Sequence, residues 1–315
     1  MQRRLLLALL ALPGPSHAFP DRAITLVVPF APGGSTDIAA RLLAARMGDG
    51  GLPVVVENRA GAGGAVGSEA VRRAAPDGQV LLFASASSHG VNPAVFRDLP
   101  YDALRDFAPV ALTGVTPLAL TAPPGGPRSL PALREALADG RGSYASAGAG
   151  SITHLAAELF LARLGLRAEH IPYRGGGPAL EAVARAEVPF GFETLATVSA
   201  AARDGRVRLL ALGAARRSPA WPGLPTLEEL GLAPFDVSTW NAILAPAGTP
   251  AARVAHVAGA AQRALREPDL ARRLAAIGVE VPEPTGPEAT AAFIGAEIAK
   301  FRAVAEGAGI RLERP

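Results

Sequence analysis

The chain has 315 residues, no cysteine and a formal net charge of +3. Without cysteine there are no disulfides, no thiolate metal sites and no lipid attached at a cysteine, and the four histidines beyond residue 18 are too widely spaced for a metal cluster. Lys300 is the single lysine and the arginines are scattered, so the positive balance marks no nucleic-acid-binding face.

At the N-terminus, Arg3 and Arg4 precede an apolar run over residues 5–12, followed by Pro13, Gly14 and the small-residue pattern Ser16-His17-Ala18. This is the layout of a secretory signal cleaved after Ala18, and the run is far short of the roughly 20 residues that span a bilayer. Export to the periplasm is therefore expected. The mature chain, residues 19–315, is long enough for two ordinary domains and must be held together by its core alone.

Strands are predicted over residues 24–30, 54–56, 80–83, 118–121, 144–146, 170–173, 188–192, 207–212 and 242–244. Several are nearly continuous apolar runs, as parallel strands covered on both faces require. Helices are predicted over residues 37–47, 68–75, 130–137 and 153–164, and later over 251–266 and 287–306. In the first, Ile38, Leu42 and Ala45 share a face; in the fourth, Leu155, Leu159 and Ala162 do, together with Ile152 just before it. The alternation predicts an α/β fold.

Two Pro/Gly-rich stretches, residues 123–127 and 245–250, interrupt this pattern. If the chain crosses between lobes near both, residues 19–122 and 241–315 form one lobe and residues 123–240 the other. Two crossings make a hinge, and a hinge implies a cleft.

The segment Pro32-Gly33-Gly34-Ser35-Thr36-Asp37 joins a strand to an amphipathic helix. Its glycines permit tight backbone geometry, and the free amides at the helix start, aligned with the helix dipole, form an anion site. Residues 143–153 repeat the arrangement, with Ser146, Ser151 and Thr153 supplying hydroxyls and Gly148 and Gly150 allowing close backbone approach. A third small, polar loop, Ser85-Ala86-Ser87-Ser88-His89, follows another strand. Enzyme motifs fail. The glycines of residues 61–67 have the wrong spacing for a dinucleotide fingerprint, Lys300 does not precede Ser or Thr, and neither G-x-S-x-G nor H-E-x-x-H occurs. The remaining catalytic alternative is a hydrolase using Ser151 with His154.

Together these segments resemble the substrate-binding proteins of tripartite tricarboxylate transporters, the Bug family. The matching stretches run in order through residues 24–37, 54–59 with 61–64, 75–78, 92–93, 99–102, 106–109, 146–148 with 150–151 and 154–155, 172–175, 217–219, 225–226 and 244–250. The resemblance implies a two-lobe periplasmic-binding-protein fold (type II-like) with a hinge and an inter-lobe cleft. It also implies a small carboxylate ligand, no catalysis, no cofactor, a monomer, and hand-over to membrane transporter subunits or to a membrane sensor. By motif, Ser35, Thr36 and Asp37 match the first carboxylate loop, Ser85, Ser88 and His89 the second, and Ser146, Gly150, Ser151 and Thr153 the third. Phe30, Gly34, Gly148, Glu193 and Thr194 complete the expected ligand-binding set.

Departures from the family pattern fall at Ala149, Gly175-Gly176-Gly177, Glu193 and Trp240-Asn241. No arginine is placed to clamp a carboxylate. Asp37 is expected to turn away and cap its own helix, and Glu193 to meet a ligand hydroxyl, an ammonium group or water.

Overall fold

The computed structural model describes residues 19–307 and 309–313; the expected signal and its cleavage site lie outside them. β1 (Ile24–Val28), rich in β-branched residues, pairs in parallel with β2 (Val54–Asn58) on one edge and β3 (Val80–Ser85) on the other. Between β1 and β2, α1 (Ser35–Asp49) buries Ala39, Ala40, Leu43, Ala44 and Met47. The face predicted from Ile38, Leu42 and Ala45 is instead partly or fully exposed. Small alanines let the helix axis approach the sheet, so the buried side is not the side carrying the larger Ile38 and Leu42. α1 ends at Gly50 and Gly51, the latter at φ +90°, a conformation that favours glycine. α2 (Ala65–Arg72) leads into β3, which continues through one π-helical turn (Ser87–Val91) into α3 (Asn92–Val95).

β4 (Phe107–Ala122) is 16 residues long and belongs to both halves of the molecule. As far as Pro117 it pairs antiparallel with β9 (Ser238–Pro246), whose other edge carries β3. From Leu118 onward it pairs with β7 (Phe190–Thr194) and β8 (Arg208–Leu212). β7 then pairs in parallel with β5 (Ser143–Ser146), and β5 with β6 (Glu169–Pro172). The described strands thus form one sheet of nine, eight along the path β2-β1-β3-β9-β4-β7-β5-β6 and β8 beside it on β4. We call the β2-to-β9 side lobe 1 and the β7-to-β6 side lobe 2.

The exchange of partners falls between Pro117 and Leu118, ahead of the Pro123 stretch where the sequence suggests a crossing. The strand also begins at Phe107 rather than at residue 118. Pro109, Gly114 and Pro117 break the β pattern, and the ladder absorbs them through register shifts at Pro109/Ala111 and Leu112/Gly114.

Lobe 2 is covered by α4 (Leu130–Ala136), α5 (Ile152–Leu164), α6 (Gly176–Ala184) and α7 (Leu195–Arg203). The chain then returns through β9 to α8 (Ala251–Arg266), α9 (Pro268–Ala276) and α10 (Pro287–Gly307). α6, α7 and α9, each nine residues long, are not among the helices expected from the sequence. One core cluster runs through the hinge, joining Leu112 to Leu118, Leu120, Phe192 and Trp240. Trp240 is fully buried, and its indole Nε1 donates to Glu297 Oε2 on α10 at 3.0 Å while Phe293 packs edge-on against the ring. The loops leaving β1, β3, β5 and β7 all lie at the carboxyl ends of parallel strands, the usual place for a ligand in open α/β sheets.

α2 sits close enough to the end of β1 that a Cβ added at Gly67 would lie 2.8 Å from the Arg59 carbonyl oxygen and 2.8 Å from Pro29 Cα. Backbone atoms cannot step aside, so Gly67→Ala should cost about 1–3 kcal/mol of stability. Gly48, exposed on α1 with open space around it, is the control: Gly48→Ala should gain up to about 1 kcal/mol. Melting temperatures moving in opposite directions would check both.

Candidate ligand-binding site

A narrow cleft, enclosing only about 30 Å³, lies between the lobes. From lobe 1 it is lined by Phe30, Gly34, Ser35, Thr36 and Ser85, and from lobe 2 by Thr153, Glu193 and Thr194, eight positions that the sequence reading singled out. Ser87, Ala147, Ile152, Gly176 and Thr239 complete the lining. Ser87 sits inside the predicted serine loop and Gly176 inside the unusual glycine run, so both carried a local signal. Thr239 comes from the hinge strand β9, and only the register of that strand brings it here.

The first wall is the start of α1. Its ladder opens with the Ile38 amide donating to the Gly34 carbonyl at 3.0 Å, so the amides of residues 35–37 precede the helix's own hydrogen bonds. Asp37 does not face the cleft. Its carboxylate accepts from the Gly33 amide at 3.0 Å, from Arg41 Nε at 3.0 Å and from Asn58 Nδ2 at 2.9 Å. It turns away as expected, but as a buried tether holding the loop to β2 and not as an N-cap; Gly34 occupies that position. Burial alone would raise its pKa, yet the bonds from Arg41, Gly33 and Asn58 outweigh this and hold it below the ordinary carboxylate value.

In the loop after β3 only Ser85 and Ser87 reach the cleft. Ser88 Oγ instead accepts from the Ser85 amide at 3.1 Å and meets His89 Nδ1 at 3.0 Å. His89 is fully buried between Tyr101 and Phe107, and burial pushes its pKa down to about 3, so it is a neutral core residue. Its apolar neighbours Val91 and Val95 continue the same packed turn, and this draws the ring inward.

Lobe 2 supplies the start of α5. Ser151 caps that helix, its Oγ accepting from the His154 amide at 3.2 Å, while Thr153 Oγ1 accepts from the Ala147 amide at 2.9 Å and pins the loop. Ser146 is drawn inward as well, its Oγ 2.6 Å from His170 Nε2 and accepting from the Gly148 amide at 3.1 Å. Gly148, at φ +123°, lines a neighbouring hollow with Gly61–Gly64 and Pro172–Arg174. Gly150, at φ +73°, sits against the Phe96 ring of lobe 1, where any side chain would collide. Asp37, Ser88, His89, Ser146, Gly148, Gly150 and Ser151 therefore lie outside the lining and shape it from behind. Contact between the lobes is direct: the Ile152 amide donates to Ser87 Oγ at 3.0 Å.

The floor belongs to Glu193 and Thr194. Thr194 caps α7, accepting from the Thr197 amide at 3.2 Å. Glu193 is 2% exposed, its Oε1 has no hydrogen-bond partner, and a Cβ at position 176 would come within 2.5 Å of its Oε2. Burial, opposed in part by the Thr194 amide, raises its pKa to about 8. Among the described residues, no arginine, lysine or histidine lines the cleft.

The model of the tripartite tricarboxylate transporter family receptor matches residues 39–310. Protein BugT of Bordetella pertussis is 36% identical over 311 residues, covering 96% of this chain and 94% of its own. The chain belongs to this receptor family. MatC from Rhodopseudomonas palustris, solved with bound malate, has a similar structure with a TM-score of 0.87 at 36% identity, covering 91% of this chain and 99% of MatC. A second R. palustris protein, solved with adipate, aligns with a TM-score of 0.88 at 31% identity, covering 93% and 99% of the two chains.

The receptor's geometry also answers the hydrolase alternative. Ser151 is bonded by the backbone of His154, whose ring Nδ1 accepts from the Gly150 amide at 3.2 Å and whose ring stacks on His170 at 4.0 Å. Burial pushes the His154 pKa down to about 4. The two side chains do not form a nucleophile–base pair.

Because Asp37 is a tether, its replacement should act on stability first. Asp37→Asn should cost about 1–3 kcal/mol at neutral pH. The folded-state pKa is depressed, so the stabilisation is present above the unfolded value of 3.8 and is lost as pH falls through the lower folded value. The gap in melting temperature between the parent and Asp37→Asn should therefore close in acid.

Proposed function

We propose that this receptor works in the periplasm, after removal of residues 1–18, as a monomer that closes its lobes on a small carboxylate and presents it to the membrane subunits of a tripartite transporter. The observation that carries this reading is the convergence, from opposite lobes, of the starts of α1 and α5 on a cleft lined with hydroxyls and free of cations. Helix-start amides and hydroxyls bind an anion through fixed dipoles, with no ion pair that would hold it too tightly for release. The malate and adipate bound by the two R. palustris relatives are both dicarboxylates, which supports a ligand of this class.

Closure follows from the same geometry. The amides of α1 belong to lobe 1 and those of α5 to lobe 2, so a carboxylate engages both only when the lobes meet, and the strands to bend are β4 near Pro117 and β9 near Ser238. In a thermal-shift screen of mono- and dicarboxylic acids, a ligand at about 100 times its Kd adds about 2.7 kcal/mol to the native state. That should raise Tm by about 5 °C or more for a chain of this size. Solution scattering should show a smaller radius of gyration with the same acid. A screen without any shift, together with scattering profiles that superpose, would remove the proposal.

A further inference from the structure

Glu193 stands apart from every other group in the cleft. Ser35, Thr36, Ser85, Ser87, Thr153 and Thr239 are neutral hydroxyls able to donate, whereas Glu193 brings a carboxyl into a space with no cation to balance it. Among the described residues that line the cleft, Glu193 alone has a fully enclosed side-chain polar atom, Oε1, without a partner. Gly176 leaves room for the carboxyl, since a Cβ there would press on its Oε2, and this holds the group at the floor. The hydroxyls of Thr153 and Thr194, by contrast, accept bonds within their own lobe, and that of Ser87 accepts one across the lobes.

We infer that Glu193 meets its ligand as a neutral carboxylic acid, its Oε1 hydroxyl donating to a carboxylate of the ligand, so that the receptor selects an acceptor at this point and capture is linked to a proton. This rests on the carboxylate-binding reading above. An ionised Glu193 facing a bound carboxylate in a dry, low-dielectric cleft would repel it, with nothing between them to offset the repulsion. A single shared proton turns that repulsion into a short charge-assisted O–H···O⁻ hydrogen bond. The proton comes from solvent as the cleft closes and returns to solvent on release.

The surroundings agree with a neutral group. The elements packed on β7 are β4, β5, α5, α6 and α7. Their titratable side chains are Tyr144 on β5, His154, Glu158 and Arg163 on α5, Glu181 on α6 and Arg203 on α7; β4 carries none. None of these acts on the Glu193 carboxyl, whose proton affinity is raised by burial and lowered only by the Thr194 amide. From lobe 1 the facing groups are hydroxyls.

The test is titration calorimetry of malate and adipate against the wild-type receptor and E193Q, from about pH 6 to 10, in two buffers of different ionisation heat. The wild-type affinity should fall by up to about tenfold per pH unit wherever the carboxyl is ionised before capture and protonated after it, and the binding heat there should depend on the buffer. E193Q, whose amide donates at every pH, should bind with a pH-independent affinity. A wild type with flat affinity and buffer-independent heat would overturn the inference, as would E193Q keeping the wild-type slope, since Glu193 would then act as an anion accepting from the ligand or not at all. Difference infrared spectra at neutral pH separate this from the reading beneath it. If neither acid binds, the carboxylate reading fails, and the protonated-carboxyl band decides alone: present in the wild type and absent from E193Q it supports a neutral donor, and absent from both it overturns one.

Discussion

β4 carries two hydrogen-bond ladders at once, and every other feature of the molecule is arranged around that sharing. Up to Pro117 its edge is committed to β9 in lobe 1, and from Leu118 its edges are committed to β7 and β8 in lobe 2. A strand cannot slip by one residue without turning its apolar face to solvent, so the register of each lobe is fixed relative to the other through one continuous backbone. The freedom left is bending at the exchange point, where proline and the nearby bulges thin the ladder. Trp240, buried beside that point and bonded to Glu297 on α10, ties the C-terminal helix to the second strand of the pair. The hinge is therefore narrow and the lobes on either side are stiff.

Stiff lobes allow a polar cleft without charged clamps. The loops that form it are held from outside: Asp37, Arg41 and Asn58 brace the first, Ser88 and His89 the second, and Ser146 and His170 the third. Each bracing group spends its hydrogen bonds behind the lining, which leaves helix-start amides and hydroxyls pointing forward. Such fixed dipoles stabilise an anion without first having to be reorganised. A carrier that must release its cargo to a membrane partner benefits from this moderation, because a buried ion pair would hold the cargo more firmly and cost more to desolvate.

The interlobe contact is built largely from backbone. Gly34 lies against the Gly176 amide, a side chain on Gly63 would run into the Ala149 carbonyl oxygen, and Gly150 lies against Phe96. Glycine is needed at positions 63 and 150 for their positive φ as well as for the close approach, at +59° and +73°. The bond from the Ile152 amide to Ser87 Oγ joins the two surfaces at the start of α5, where an incoming carboxylate would compete for the same amide.

What the sequence determined by itself is the local part. Alternating apolar runs and alanine-rich stretches specified an α/β chain, and glycines followed by Ser35, Thr36 and Thr153 marked helix starts that line the cleft, because caps and turns depend on neighbours within a few residues. The direction of a side chain is a different matter. Ser146, Ser151, Ser88 and His89 have the right chemistry and the right loop, yet partners such as His170, 24 residues away, pull them behind the lining. Thr239 has no local signal and arrives through the register of β9. The protonation of Glu193 is likewise invisible in a string of residues, since it depends on how completely β4, β5, α5, α6 and α7 exclude water from one carboxyl. Tertiary structure decided these points because burial and long-range pairing are sums over residues that lie far apart in the chain.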